Sequence, residues 1–132
     1  MVIIGGGPGG YEAALVAAQL GAEVTLIDRD GLGGSAVLTD CVPSKALVAA
    51  ATVPQTDTDL ATINTRIIEL AAAQSRDIAE RIRRDGVRIL VGTAHLVNAS
   101  TVSYHGCAAE EETIAADVIL LATGARPRVL GA

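Results

Sequence analysis

The 132-residue chain has no Trp and no Phe, and Tyr11 and Tyr104 are its only tyrosines. A core must therefore be assembled from Val, Ile, Leu and Ala, as where helices pack closely on a buried parallel sheet. Lysine is almost missing too. Lys45 is the only one, the basic residues form no long run, and the formal net charge is −5, so nucleic acid is not expected as a partner. Two cysteines, Cys41 and Cys107, are too few for a disulfide scaffold and suit the reduced thiols of a cytoplasmic protein. No apolar stretch reaches ~18 residues without a charge, so no segment is expected to span a membrane. Met1 leads straight into Val2-Ile3-Ile4 without a basic region, so no secretory signal is expected.

What is present is hydrophobic and rich in glycine. A 50% hydrophobic, 19% charged composition belongs to a globular chain of this length with one core, not to a disordered one. Many of the 14 glycines fall in two clusters, Gly5 to Gly10 and Gly31 to Gly34, where backbone can approach something closely.

The pattern of elements is regular. Val2-Ile3-Ile4 reads as a short buried strand running into the first glycine cluster. A helix follows from about Gly9 to Leu20, with Ala13, Ala14, Ala17 and Ala18 as a small-residue face and Gly21 as its stop. Val24 to Ile27 is a second strand closing on Asp28, which completes a βαβ unit. Gly31 to Asp40 reads as a loop. Pro43 suits the first turn of a helix that continues from Ser44 to Ala51. After a polar turn at Val53 to Asp59, Ile63, Ile67, Leu70, Ile78 and Ile82 mark the stripe of a long amphipathic helix that stops at Gly86. Val87 to Val91 is a third buried strand. Thr93 to Ala116 alternates like a small antiparallel meander, and Val118 to Leu121 is a final buried strand running into Ala122-Thr123-Gly124-Ala125.

Gly5, Gly7 and Gly10 spell G-x-G-x-x-G between a strand and a helix. The first glycine permits the tight turn, the second lets backbone approach a pyrophosphate, and the third lets helix and strand pack closely. The helix start then favours an anionic diphosphate. Asp28 stands where a carboxylate would accept hydrogen bonds from a ribose; the competing reading is a solvated loop acid. NAD and FAD both carry an ADP half, so this unit does not separate them.

The segment Gly33-Gly34-Ser35-Ala36-Val37-Leu38-Thr39-Asp40-Cys41-Val42-Pro43-Ser44-Lys45 resembles the redox signature GGTCxxxxCxPSK of the flavoprotein disulfide reductases. That family includes dihydrolipoamide dehydrogenase, glutathione reductase and mercuric reductase. The resemblance extends over nearly the whole chain, from GGGPGGYEAA to the closing ATGARP. It implies an α/β fold: a Rossmann-like FAD-binding domain with a central parallel sheet and a small antiparallel β-meander. One position departs from the pattern. Ala36 replaces the first cysteine and only Cys41 remains, so this loop cannot cycle between dithiol and disulfide. Cys107, expected in the meander, is not expected to substitute. The sequence looks most like an actinobacterial branch whose members carry lipoamide-dehydrogenase names, lack the pair and act as NAD(P)H-dependent quinone reductases.

The resemblance also implies roles for single residues. Gly5, Gly7 and Gly10 would cradle the pyrophosphate, Asp28 would hold the adenosine ribose, and Gly34 and Ser35 would approach the diphosphate. Cys41 would face the flavin and Lys45 would stand near its N5 and O4. Ala94 would offer a backbone contact to adenine, and Thr123 and Gly124 would pack on the cofactor. The plainer readings are a buried small hydrophobe at Cys41 and a solvated helix residue at Lys45. His95 and His105 read as surface or core-edge residues without metal-ligand partners, and Glu110-Glu111-Glu112 as a solvated turn.

By this resemblance residues 1–132 are the amino-terminal FAD-binding portion of a longer, homodimeric enzyme. NAD(P)H would be its co-substrate and a quinone-like molecule its acceptor. The alternatives are a disulfide reductase using a cysteine outside this segment, and a non-catalytic dinucleotide-binding fragment.

Overall fold

The computed structural model describes residues 1–52, 59–106, 111–125 and 128. The elements run β1 (Val2–Ile4), α1 (Pro8–Gln19), β2 (Thr25–Asp28), α2 (Gly34–Leu38), α3 (Cys41–Thr52), α4 (Leu60–Arg84), β3 (Arg88–Asn98), β4 (Thr101–Gly106), β5 (Glu111–Ala115) and β6 (Ile119–Leu121). They build one sheet in the order β5-β4-β3-β2-β1-β6. β3, β2, β1 and β6 are parallel, with Ile3 opposite Leu26 on one side and Leu120 on the other. β3, β4 and β5 form the antiparallel meander. The expected α/β architecture, a central parallel sheet with a meander, is what the chain adopts.

Alternation along β1 divides the core in two. Ile3 and Leu26 point toward the helices and pack with Ala14, Leu15 and Ile82. Val2, Ile4 and Ile27 point the other way and pack with Val102 and Tyr104 of the meander. The inner parallel strands β1 and β2 are thus covered on both faces, as parallel sheets require.

Helix ends follow their local chemistry. α1 opens with Pro8, which lacks only an N–H that would have no intrahelical partner. α4 is capped by Asp59, whose carboxylate accepts from the Thr62 N–H at 2.7 Å. It carries Arg81, Arg83 and Arg84 in its last turn, where the helix dipole favours cations, and stops before Gly86 at φ +83°.

β3 corrects the expected separation of a third strand from the meander. It is one 11-residue strand whose first part, Arg88 to Val91, pairs with β2, and whose remainder pairs with β4. The change of partner falls at Gly92, opposite Gly106, where a Cβ would strike the His105 carbonyl and come within 2.8 Å of the Tyr104 ring. Tyr104 secures the junction, its buried hydroxyl donating to the Val91 carbonyl at 2.9 Å.

Other expectations change as well. Gly31 to Asp40 is not wholly loop: it contains α2, entered through Gly33 at φ +101° and seated by buried Val37. Leu70 lies off the inner line of α4, which runs through Ile67, Ala71 and Ile82, and it is 45% exposed. β6 is an edge strand with Leu121 open to solvent, so the expected buried last strand is not found. Of the expected turn at Val53 to Asp59 only Asp59 is described. Cys107 and Glu110 lie outside the described residues.

Candidate dinucleotide-binding site

β1 sits where the strand order reverses, with β2, the next strand along the chain, on one side and β6, the last, on the other. Crevices beyond the carboxyl ends of strands at such a point are where open α/β sheets bind ligands. There the chain forms a cleft of about 710 Å³ lined by Gly5, Gly7, Pro8, Gly9, Asp28, Gly34, Ser35, Thr123 and Gly124, with Arg29, Asp30 and Asp40 on its walls. The positive end of the α1 dipole opens into it, since Pro8 and Gly9 belong to both.

The fingerprint glycines divide by purpose. Gly5 has φ +106°, and a Cβ there would run into the Ala122 carbonyl. A Cβ on Gly10 would run into the Gly5 carbonyl, so Gly10 is buried beneath the turn and does not line the cleft. Gly7 differs: its φ is an ordinary −68°, and a Cβ would meet nothing nearer than the Gly34 Cα at 3.9 Å. Folding therefore does not demand glycine at position 7.

The two glycine clusters are tied together. Gly33 donates to the Gly6 carbonyl at 2.8 Å. A Cβ on Gly34 would approach the Gly7 Cα within 2.8 Å. Asp28 completes the frame. Its Oδ2 accepts from the Gly6 N–H at 2.6 Å, and its Oδ1 accepts from the N–H groups of Asp30 at 2.9 Å and Gly31 at 2.8 Å. Asp28 is therefore no idle loop acid. Three of roughly four acceptor positions on a carboxylate are taken by backbone, which leaves about one for a ribose hydroxyl.

Arg29 pairs with Asp30 at 2.7 Å, and that hydrogen bond and charge raise the guanidinium pKa. The cleft wall thus presents amides and a helix dipole beside one exposed ion pair. Beside the cleft lies a second cavity of about 290 Å³, sharing Asp28 and Gly31 and walled by Leu32, Arg76, Arg83 and Val91. The α4 residues in that wall had no signature in the sequence, because only packing of α4 beside β3 brings them there.

Several expected residues lie elsewhere. Cys41 is exposed at the first position of α3, which overturns the buried-hydrophobe reading. Lys45 is exposed one helical turn later and lines a shallow depression of about 360 Å³ with Ser44, Val48, Ala49 and Thr52. Ala94 packs half-buried against the meander core and lines neither cavity at the cleft. Missed by sequence reasoning were Arg29, Asp30 and Asp40. Their signal was proximity to the second strand end and to the second glycine cluster.

Fold and cleft together define an α/β domain of Rossmann type with a candidate dinucleotide site. The chain belongs to the pyridine nucleotide-disulphide oxidoreductase family, whose model matches residues 1–132. It is 40% identical to NAD(P)H dehydrogenase (quinone) of Mycobacterium tuberculosis, with 98% of this chain and 31% of that protein aligned. It is 33% identical to dihydrolipoyl dehydrogenase 2 of Haloarcula marismortui, covering 96% of this chain and 30% of that one. Among solved structures, LpdA from Mycobacterium tuberculosis superposes with a TM-score of 0.87 at 39% identity, covering 98% of this chain and 32% of that one. The HOCl-induced flavoprotein disulfide reductase RclA from Escherichia coli does so at 0.85 and 27%, covering 98% and 29%.

The chain spans about 31% of the length of the first of these relatives. The alignment to it runs over 158 positions, more than the chain's 132 residues, so the relative carries residues in this span that the chain does not. Among the described residues no helix is long and apolar enough to cross a membrane.

Proposed function

We propose that residues 1–132 are the FAD-binding portion of an NAD(P)H-dependent flavin oxidoreductase that passes electrons to a quinone-like acceptor. The observation that carries this reading is a complete glycine cleft beside a redox segment with alanine at position 36. The cleft fits the cofactor. Gly7 keeps free the volume a side chain would fill, and the second cluster approaches it closely at Gly34. Backbone at Gly5 to Gly7, the α1 start, Gly34 and Ser35 would hold the diphosphate. Asp28 would offer its remaining acceptor to the ribose, and Thr123 and Gly124 would close the far wall. Bound FAD supplies two-electron chemistry that protein side chains lack.

The chain's own contribution on the redox side is a face on α3. Cys41 and Lys45 are four residues apart and share that face, which places one thiol and the only lysine together. With no sulfur at Ala36, this segment has no disulfide in which to store an electron pair, so electrons would leave without a thiol relay. A homodimeric parent, on the strength of the family resemblance, working in the cytoplasm, on the strength of the low cysteine count, completes the reading.

The relatives named dihydrolipoyl dehydrogenase favour a second reading, in which the parent reduces a disulfide through a cysteine outside this segment. Steady-state assays of the full-length protein separate the two. The expected result is FAD released on denaturation, NAD(P)H oxidation with quinones, and no turnover of lipoamide or glutathione disulfide. A colourless protein would overturn the cofactor assignment; vigorous lipoamide turnover would overturn the acceptor.

A further inference from the structure

His95 and His105 stand on consecutive strands, β3 and β4, and the pairing of that hairpin makes them neighbours. Thr93 lies opposite His105 and His95 opposite Ser103, so both histidines stand on one face of the ribbon along a diagonal. The alternate residues Val102 and Tyr104 turn inward to the core, which leaves both imidazoles on the outer, exposed face. Their ring centres are 5.9 Å apart with planes at 65°. On the other side of His105, β5 places Glu111 directly opposite, its Oε1 3.4 Å from the His105 Nδ1.

We propose that this pair is a surface site for one divalent transition-metal ion with an affinity for imidazole. His95 and His105 are the donors and Glu111 is a positioning carboxylate. An ion about 2.0–2.1 Å from one nitrogen of each ring sets the ring centres about 5–6 Å apart when the angle at the metal is tetrahedral or wider, a range that includes the observed spacing. Glu111 beside Nδ1 favours the tautomer with its proton there, freeing Nε2 to bind. Among the described residues no group of three or more His, Cys, Asp and Glu is placed to hold a metal ion, so the chain gives two donors and water completes the shell. Copper(II) should bind more tightly than zinc(II), following the general order for nitrogen ligands.

The test is titration of copper(II), then zinc(II), into the full-length protein with its cofactor bound, followed by calorimetry and electron paramagnetic resonance. One copper equivalent should bind with splitting from two imidazole nitrogens. His95→Ala and His105→Ala should each weaken that binding by at least ~10-fold. Glu111→Gln should weaken it by roughly 10-fold or more while keeping the two-nitrogen signal. Circular dichroism and flavin absorbance should be unchanged in all three, which separates loss of the site from loss of fold. A copper site indifferent to either histidine, a one-nitrogen spectrum, or no binding at micromolar copper overturns the proposal. Unchanged affinity in Glu111→Gln overturns the role given to that carboxylate.

Discussion

At the glycine cleft Asp28 accepts from three amides and Gly33 donates to Gly6, whereas α3, carrying Cys41 and Lys45, buries none of its 12 residues. The first region is tied together by hydrogen bonds within the chain. The second is an apolar helix in which Val48 is 64% exposed, and helices that are apolar all round are normally covered. The glycine cleft is thus held from within the chain, while the exposed face of α3 is open to whatever packs over it. On the proposed reading that cover is the cofactor and the remainder of the parent enzyme.

The sharpest way to break this contrast is at the glycines. Gly10→Val should prevent folding, because its Cβ has no room against the Gly5 carbonyl. Gly7→Val should fold normally by circular dichroism and thermal melting yet lose FAD on gel filtration. If Gly7→Val keeps its flavin, the cleft does not hold the diphosphate. Next in size is Asp28→Ala, which removes charged hydrogen bonds from both glycine clusters. It should cost about 1.5–3 kcal/mol in chemical denaturation and also weaken FAD retention, and an unchanged midpoint would show that the frame stands without it.

Ala36→Cys sharpens the comparison on the redox side. It should restore a bridgeable pair with Cys41, detected as two fewer free thiols after mild oxidation, with FAD retention unchanged. Oxidised protein that still titrates both thiols would show that α2 and α3 do not hold these positions within disulfide reach. A smaller effect concerns pH. The Thr62 N–H bond lowers the Asp59 pKa, and the Arg88 guanidinium lowers that of Glu112. Because both folded values are depressed, their stabilisation is complete above the unfolded carboxylate range near pH ~4 and is lost as pH falls through the folded values. The stability gap between the parent and Asp59→Ala or Glu112→Ala should therefore close in acid. Smallest of all, Cys41→Ala should shift stability by no more than about 0.5 kcal/mol, since the side chain is exposed, while any effect on flavin spectra would report the uncovered face.

Much of this was legible without coordinates, and the reason is that the signals were local. A strand, a glycine turn, a helix and an acid within the opening residues define a βαβ unit by spacing alone. The stripe of α4 was visible for the same reason, although the inner place next to Ile67 belongs to Ala71 and not to Leu70. Periodicity gives the direction of a face but not which of two adjacent side chains a neighbour can accommodate.

By itself the sequence determined the class of fold, the opening βαβ unit and the glycine cleft, because backbone freedom and hydrophobic period act over a few residues. Only the tertiary structure decided the partners. It committed Asp28 to three amides, joined the third strand to the meander at Gly92, left Ala94 outside the cleft, and set His95 beside His105. Those outcomes depend on which surfaces meet across the sheet, and contacts between residues distant in sequence leave no local period to read.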